Sequence, residues 1–297
     1  MTQGTRHPLA LALPSLLVAG VLFTALDTAG KLLVQQHSLF VVVWARYVGQ
    51  MLIVSAYVRH RTGPHFWHTR HPRTQLARSA LLVVTTAAFY VGLRYLPLAE
   101  ASAIMFATPL LVVLLSGPVL GERPTRGRVG AALAGFLGVL LLLRPGSAVL
   151  HPAVVVLLGA ALCNAFYQML TKRVAGDGTN TSLFYSSLVG AVALTLALPW
   201  GFADTTLSSR DWLLLVVAGV FAAAGHGLMI HAFRLAPASL LAPFTYVQIL
   251  WAVAFGYAVF GQLPDRWSAL GMAIIVASGV LLAVLERRRA RLGRRFP

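Results

Sequence analysis

Apolar residues fall in long blocks along this chain, and short polar turns separate the blocks. Most blocks are about 18–23 residues long, enough for a helix to cross a hydrocarbon core of about 30 Å. The pattern predicts ten spans: 14–35, 39–59, 76–95, 98–120, 128–143, 152–174, 182–201, 211–234, 238–260 and 266–285. No block shows the strict alternation of a strand. The fold class that follows is an all-α integral membrane protein. The first block contains Asp27 and Lys31, so it reads as a span and not as a cleaved leader.

The blocks repeat. Arg94–Arg126 reads RYLPLAEASAIMFATPLLVVLLSGPVLGERPTR, and a degenerate copy lies 140 positions on, at Arg234–Arg266. Arg94 falls on Arg234, Pro97 on Pro237, Gly121 on Gly261, Pro124 on Pro264 and Arg126 on Arg266, with no gap. A self-match at fixed offset divides the chain into two related halves. The division expected is 1–147, 148–286 and a basic tail at 287–297. Lys31 also matches Lys172 at an offset of 141.

Composition agrees with a membrane. Hydrophobic residues make up 58% of the chain and charged residues 11%. A soluble domain of this size could not bury so much apolar side chain. The net charge of +16 then reads as arginine in cytoplasmic loops, and not as a nucleic-acid surface. Cys163 is alone, which excludes a disulfide framework and a cysteine metal site. The histidines His60, His65, His68 and His71 crowd one loop without a neighbouring acid, so no metal is expected there. No cofactor is expected.

Charge placement orients the spans. One side collects Arg59, Arg61, Arg70, Arg73 and Arg78, then Arg123, Arg126 and Arg128, then Lys172, Arg173 and Arg234, and finally the arginines of 287–295. The other side receives only Arg94, Arg144, Arg210 and Arg266. By the positive-inside rule both termini are cytoplasmic. Five spans per half is an odd number, so the second half enters the membrane upside down. Inverted repeats around a shared site suit alternating access. Nothing reads as a nucleophile–base pair, a paired carboxylate or a phosphate loop, so an enzyme is not expected.

Taken together, these marks resemble the ten-span, EamA-type branch of the drug/metabolite transporter superfamily. The likeness is carried by the two Pro turns, by Gly121–Pro124 and its weaker form Gly261–Pro264, and by Arg46 in WARYVGQ. It covers residues 14–285. The resemblance implies a bacterial inner-membrane secondary transporter with spans 1–4 and 6–9 around a central cavity, and spans 5 and 10 to the side. The chain is similar to bacterial amino-acid exporters, the aromatic-amino-acid exporter among them, and export of amino acids or similar metabolites is the leading reading. LDTAGKLL followed by WARY also resembles a branch importing larger metabolites such as flavins or adenosylmethionine. A passive channel is the other alternative. The partners expected are a small-molecule substrate and the lipid bilayer. Span 5 carries Gly130, Ala134 and Gly138 on one face, suited to close packing within a monomer or, as the alternative, to a dimer.

Charges within spans are costly and by default face a cavity or a partner. Asp27 and Lys31 share a face of span 1, with Lys31 placed to snorkel outward, and Arg46 lies at similar depth in span 2. An Asp27–Arg46 or Asp27–Lys31 pair is expected, either as a lock between spans or as the polar end of a substrate site. His226 falls on Thr86 in the repeat and is a candidate for carboxylate binding. Trp44 and Tyr47 on span 2, Phe89 and Tyr90 on span 3 and Phe106 on span 4 are candidates for the cavity wall. Asn164, Tyr167 and Gln168 on span 6, with Tyr246 and Gln248 on span 9, complete that list. Aromatic walls with a few amides suit a substrate with an apolar body and a polar head. Pro97 and Pro237 are candidate hinges.

Overall fold

The computed structural model describes residues 8–62, 67–121, 124–143, 151–198, 206–236, 241 and 244–292. Pro237, Glu122 and the 144–150 linker lie outside them. Among the described residues the secondary structure is helical, without strands. Among the described residues, eight helical stretches, with Leu98–Val119 counted as one, are long and apolar enough to cross a membrane, and Asn180–Leu196 and Val247–Phe260 are shorter apolar helices.

Span 1 is Pro8–Gln36, span 2 Leu39–Thr62 and span 3 Pro72–Tyr95. Span 4 is not the continuous helix its hydropathy predicts. It is Leu98–Met105 followed by Thr108–Leu120. Pro109 explains the break: it lacks an N–H, and its ring would strike the carbonyl four residues back, at Met105. Spans 5, 6, 7 and 8 are Arg126–Leu143, Ala153–Arg173, Thr179–Leu196 and Ser209–Leu235. In span 9 the helix Val247–Phe260 starts after Tyr246, and span 10 is Arg266–Leu292. The two breaks fall at counterpart residues, Phe106 and Tyr246.

The halves are inverted. Gly127, at the start of span 5, lies beside Leu285 near the end of span 10, and Gly271 beside Leu142. Spans 5 and 10 are therefore antiparallel, and the turns after Gly121 and Gly261 lie at opposite ends. Both glycines close their helices in the left-handed region, at φ 69° and 66°, which explains the shared Gly-x-x-Pro mark. Ala12 and Leu16 pack with Ala236 and Leu241 at the end holding the start of span 1, the proximal end. Leu96, the counterpart of Ala236, lies at the distal end, where Ser268 reaches Glu100.

Packing follows the same exchange. Span 1 lies along span 8 as span 6 lies along span 3, and span 1 meets span 9 as span 6 meets span 4. Spans 2 and 7, 4 and 9, and 5 and 10 meet their own counterparts. Two His–Asp pairs also obey it. His37 lies 3.1 Å from Asp211 at the distal end. His71 lies 3.4 Å from Asp177 at the proximal end. An offset of 140 carries His37 onto Asp177 and His71 onto Asp211, so one contact is built twice with its partners exchanged.

Gly138 and Gly271 let spans 5 and 10 touch backbone to backbone. A methyl on Gly271 would lie 2.7 Å from the Gly138 carbonyl oxygen and 2.9 Å from the Leu142 nitrogen. Gly130, expected on the same packing face, meets nothing within 4 Å and is exposed. Gly271→Ala is expected to cost about 1–3 kcal/mol through overpacking, whereas Gly130→Ala leaves stability unchanged. Melting of the purified variants in detergent checks this; equal melting temperatures would refute the close approach.

Candidate functional site

Lys31 does not snorkel. It is buried, and its ammonium donates to the carbonyl oxygens of Leu93, at 2.8 Å, and Leu96. These are open acceptors at the C-terminal end of span 3, so Lys31 ties span 1 to span 3. Its Nζ also lies 5.3 Å from the Phe260 ring centre. The expected Asp27–Lys31 pair is absent. Lys172 is exposed, so it is no counterpart of Lys31; the offset of 140 that aligns the His–Asp pairs places Thr171 there instead.

Arg46 and Asp27 make no ion pair within 4 Å of each other. Arg46 is half-buried, donates to the Tyr90 hydroxyl at 3.3 Å and lies 5.5 Å from that ring's centre. Its Nε is buried without a hydrogen-bond partner. Asp27 is half-buried and feels the Arg46 charge. Among the described residues no hydrogen bond or 4 Å ion pair reaches its carboxylate. Tyr47 is buried and shares a 3.0 Å hydrogen bond with Thr86. Phe89 stands beside Tyr90, with ring centres 6.2 Å apart. His226, half-buried, has Nδ1 2.7 Å from the Ala222 carbonyl and its ring edge-on to Phe23. The Arg46 charge also acts on His226. Spans 1, 2, 3 and 8 thus bring Asp27, Arg46, Tyr90 and His226 within reach of one another; Tyr47 and Phe89 are the chain neighbours of Arg46 and Tyr90.

Other candidates disperse. Trp44 donates to Thr195 at 3.0 Å, between spans 2 and 7. Phe106 and Tyr246 meet at 5.1 Å where the two broken spans cross. Asn164 donates to Thr108 at 3.3 Å, beside the break in span 4. Gln168, Tyr246 and Arg128 line a cavity of about 170 Å³ between spans 4, 5, 6, 9 and 10. Gln248 lines a smaller crevice of about 40 Å³ with Gly20 and Trp251. Pro97 caps the start of span 4, and its carbonyl accepts from Ala101 N–H at 3.0 Å.

The residue that sequence reasoning misplaced is Arg78. Counted among the cytoplasmic-side charges, it is 2% exposed inside the bundle. Its guanidinium donates to Gln75 Oε1 at 2.7 Å, Thr171 Oγ1 at 3.0 Å, the Ser182 carbonyl at 3.0 Å, Ser186 Oγ at 3.0 Å and the Tyr167 hydroxyl at 3.1 Å. It therefore fastens span 3 to spans 6 and 7. Gln75 continues the network to Asp177, outside the spans, at 3.1 Å. Asp177 also accepts from Thr69, from the Arg70 N–H at 3.2 Å and from His71. Burial raises its carboxyl, but these hydrogen bonds outweigh burial and hold it down at about 2. The helix start at Pro72 was the available signal: it places Arg78 well inside span 3.

The description "EamA-like transporter family" matches residues 10–144 and 151–284. The chain is 29% identical over 298 residues to a riboflavin transporter of Vibrio cholerae serotype O1, covering 96% of each. It is 25% identical over 264 residues to an S-adenosylmethionine uptake transporter of Rickettsia prowazekii, covering 88% of each. It is 28% identical over 212 residues to a pseudopaline exporter of Pseudomonas aeruginosa, covering 70% of this chain and 74% of that one. A crystal structure with 20% identity superposes with a TM-score of 0.65 over 93% of this chain and 98% of its own, a likeness of fold.

Arg78→Gln is expected to lower stability by about 2 kcal/mol or more, because several buried acceptors lose a charged donor. Exposed Arg73→Ala is the control, and melting in detergent reads both; equal effects would place Arg78 at the surface. Asp177 has its folded-state value below the ordinary 3.8. Its contribution to stability is therefore complete above about 3.8 and lost as pH falls toward about 2. Asp177→Asn should melt earlier than the wild type at pH 6, with the gap closing across that window. A gap that stays constant down to pH 2 would contradict the hydrogen-bonded carboxylate.

Proposed function

The chain belongs to the EamA-like transporter family, and from that premise we propose that it is an alternating-access carrier of a small metabolite with a planar, polar-edged ring, flavin-like or nucleoside-like. The observation that supports this reading is the Asp27–Arg46 site. A carboxylate and a guanidinium lie inside the bundle within reach of each other's charge, without an ion pair, and the Tyr90 ring lies against the guanidinium. A substrate that offers a donor to one and an acceptor to the other completes both charges, and the aromatic side chains stack on its ring. Two relatives over most of the chain bear the names of riboflavin and S-adenosylmethionine transporters, and both of those compounds fit this description.

Export of amino acids is the second reading. It draws on the same acid–base pair, since a zwitterion also presents one charge to each. The pseudopaline exporter among the relatives supports outward transport. No nucleotide-binding motif is present in the sequence, so the carrier is driven by gradients and not by a phosphate loop.

Proteoliposomes loaded with unlabelled riboflavin, S-adenosylmethionine or phenylalanine separate these readings by counterflow of the labelled compound. Saturable counterflow of riboflavin or S-adenosylmethionine is expected. Asp27→Asn and Arg46→Ala should each lower its rate at least tenfold at unchanged expression and melting temperature. Flux linear in concentration for every compound would make the protein a channel. Full transport by both variants would remove the pair from the substrate site. Everted vesicles give the direction.

A further inference from the structure

The repeat places two sites in correspondence, and only one of them has an arginine to bond its side chains. At the offset of 140, Asp27 falls on Tyr167 and Arg46 on Ser186. Tyr167 and Ser186 are both hydrogen-bonded to the Arg78 guanidinium, at 3.1 and 3.0 Å. The counterpart of Arg78 is Ala218, on span 8. Ala218 packs beside Leu26 of span 1 and has no polar atom to offer. One site therefore holds a planar group of N–H donors anchored to span 3. Its counterpart holds a methyl group, an Asp27 carboxylate that no hydrogen bond reaches among the described residues, and an Arg46 with a buried, unsatisfied Nε.

We propose that the substrate supplies to the Asp27–Arg46 site what Arg78 supplies to Tyr167–Ser186: a planar edge of hydrogen-bonding nitrogen. The difference between the sites fixes the edge further. Tyr167 and Ser186 both accept from Arg78. In the open site Asp27 accepts, but Arg46 is a donor and takes an acceptor. The matching edge carries an N–H next to a carbonyl or ring nitrogen, as in an imide, a lactam or an aminopurine. A second guanidinium would meet the Arg46 charge and is disfavoured. The Tyr90 hydroxyl and ring, already in contact with Arg46, hold the guanidinium at one side of that edge. Ala218 is thereby a specificity-determining position: it carries a methyl group where the other half carries the arginine that completes its site.

This inference rests on the carrier reading above for its setting, but its test reads binding and not transport. Riboflavin has an imide N–H between two carbonyls; 3-methylriboflavin has a methyl in place of that hydrogen. Quenching of flavin fluorescence on titration with the purified protein compares them. Riboflavin should bind at least tenfold more tightly than the methylated compound to the wild type. The difference should fall below about twofold in Asp27→Asn. Ala218→Arg should abolish riboflavin binding in protein that still melts cooperatively. Where Ala218→Arg does not fold, Asp27→Asn and Arg46→Gln carry the test. Equal binding of the two flavins, or none of either, overturns the proposed edge even if counterflow shows a carrier of another compound. Loss of counterflow with the flavin preference intact would instead overturn the carrier reading.

Discussion

Each half of this protein is completed by the other. Span 1 lies along span 8 and span 6 along span 3, so the helices that begin each half are buried by the third helix of the opposite half. In a bilayer this arrangement is not a matter of hydrophobic gain, because lipid is as apolar as the helix faces. Close packing and polar contacts hold the bundle instead. The Gly138–Gly271 approach, the Lys31 ammonium on the end of span 3 and the Arg78 network all run between elements far apart in the chain. Division into two five-span units is a division of sequence and topology, not of packing.

That distinction explains what the sequence made legible. Hydropathy and the 140-residue offset exposed the spans, the repeat and its inversion, because all three are properties of local composition and of order along the chain. The break in span 4 had a signal, Pro109, which a purely hydropathic reading passes over. The break at Tyr246 had none, since the counterpart of Pro109 is Ile249. Arg78 was counted with the cytoplasmic-side charges because it follows a run of arginines near a turn. Its acceptors on spans 6 and 7 lie 89 to 108 positions away for the side chains of Tyr167, Thr171 and Ser186. No window along the sequence contains them.

The candidate site was legible in its parts and not in its arrangement. Asp27, Arg46, Tyr47, Phe89, Tyr90 and His226 were all singled out by being polar or aromatic within apolar spans, and Asp27, Tyr90 and His226 lie within reach of Arg46. Lys31 was chosen on the same ground, yet it answers backbone carbonyls. Helix periodicity places Lys31 on the face of Asp27, but a side chain of that length is claimed by whichever acceptors are most in need of a donor. The end of span 3 supplies buried acceptors that its last turn leaves open. The amides and aromatics of spans 6 and 9 scattered for a related reason: each lies next to a helix break or a buried cation that demanded it.

Symmetry of scaffold and asymmetry of chemistry therefore coexist. The two His–Asp pairs are counterparts with exchanged partners, at opposite ends. Both are made in the same conformation, so neither waits for the other to open. Each fastens the loop after the first span of one half to the start of the third span of the other, and so binds helices of both repeats into one body. In the alternating access proposed above, relative motion takes place between such bodies. The surfaces available to it are those where counterparts meet: spans 2 and 7, and the crossing of spans 4 and 9 at Phe106 and Tyr246. Both spans at that crossing are broken at that point, where a helix bends at least cost, because its ladder of hydrogen bonds is already interrupted.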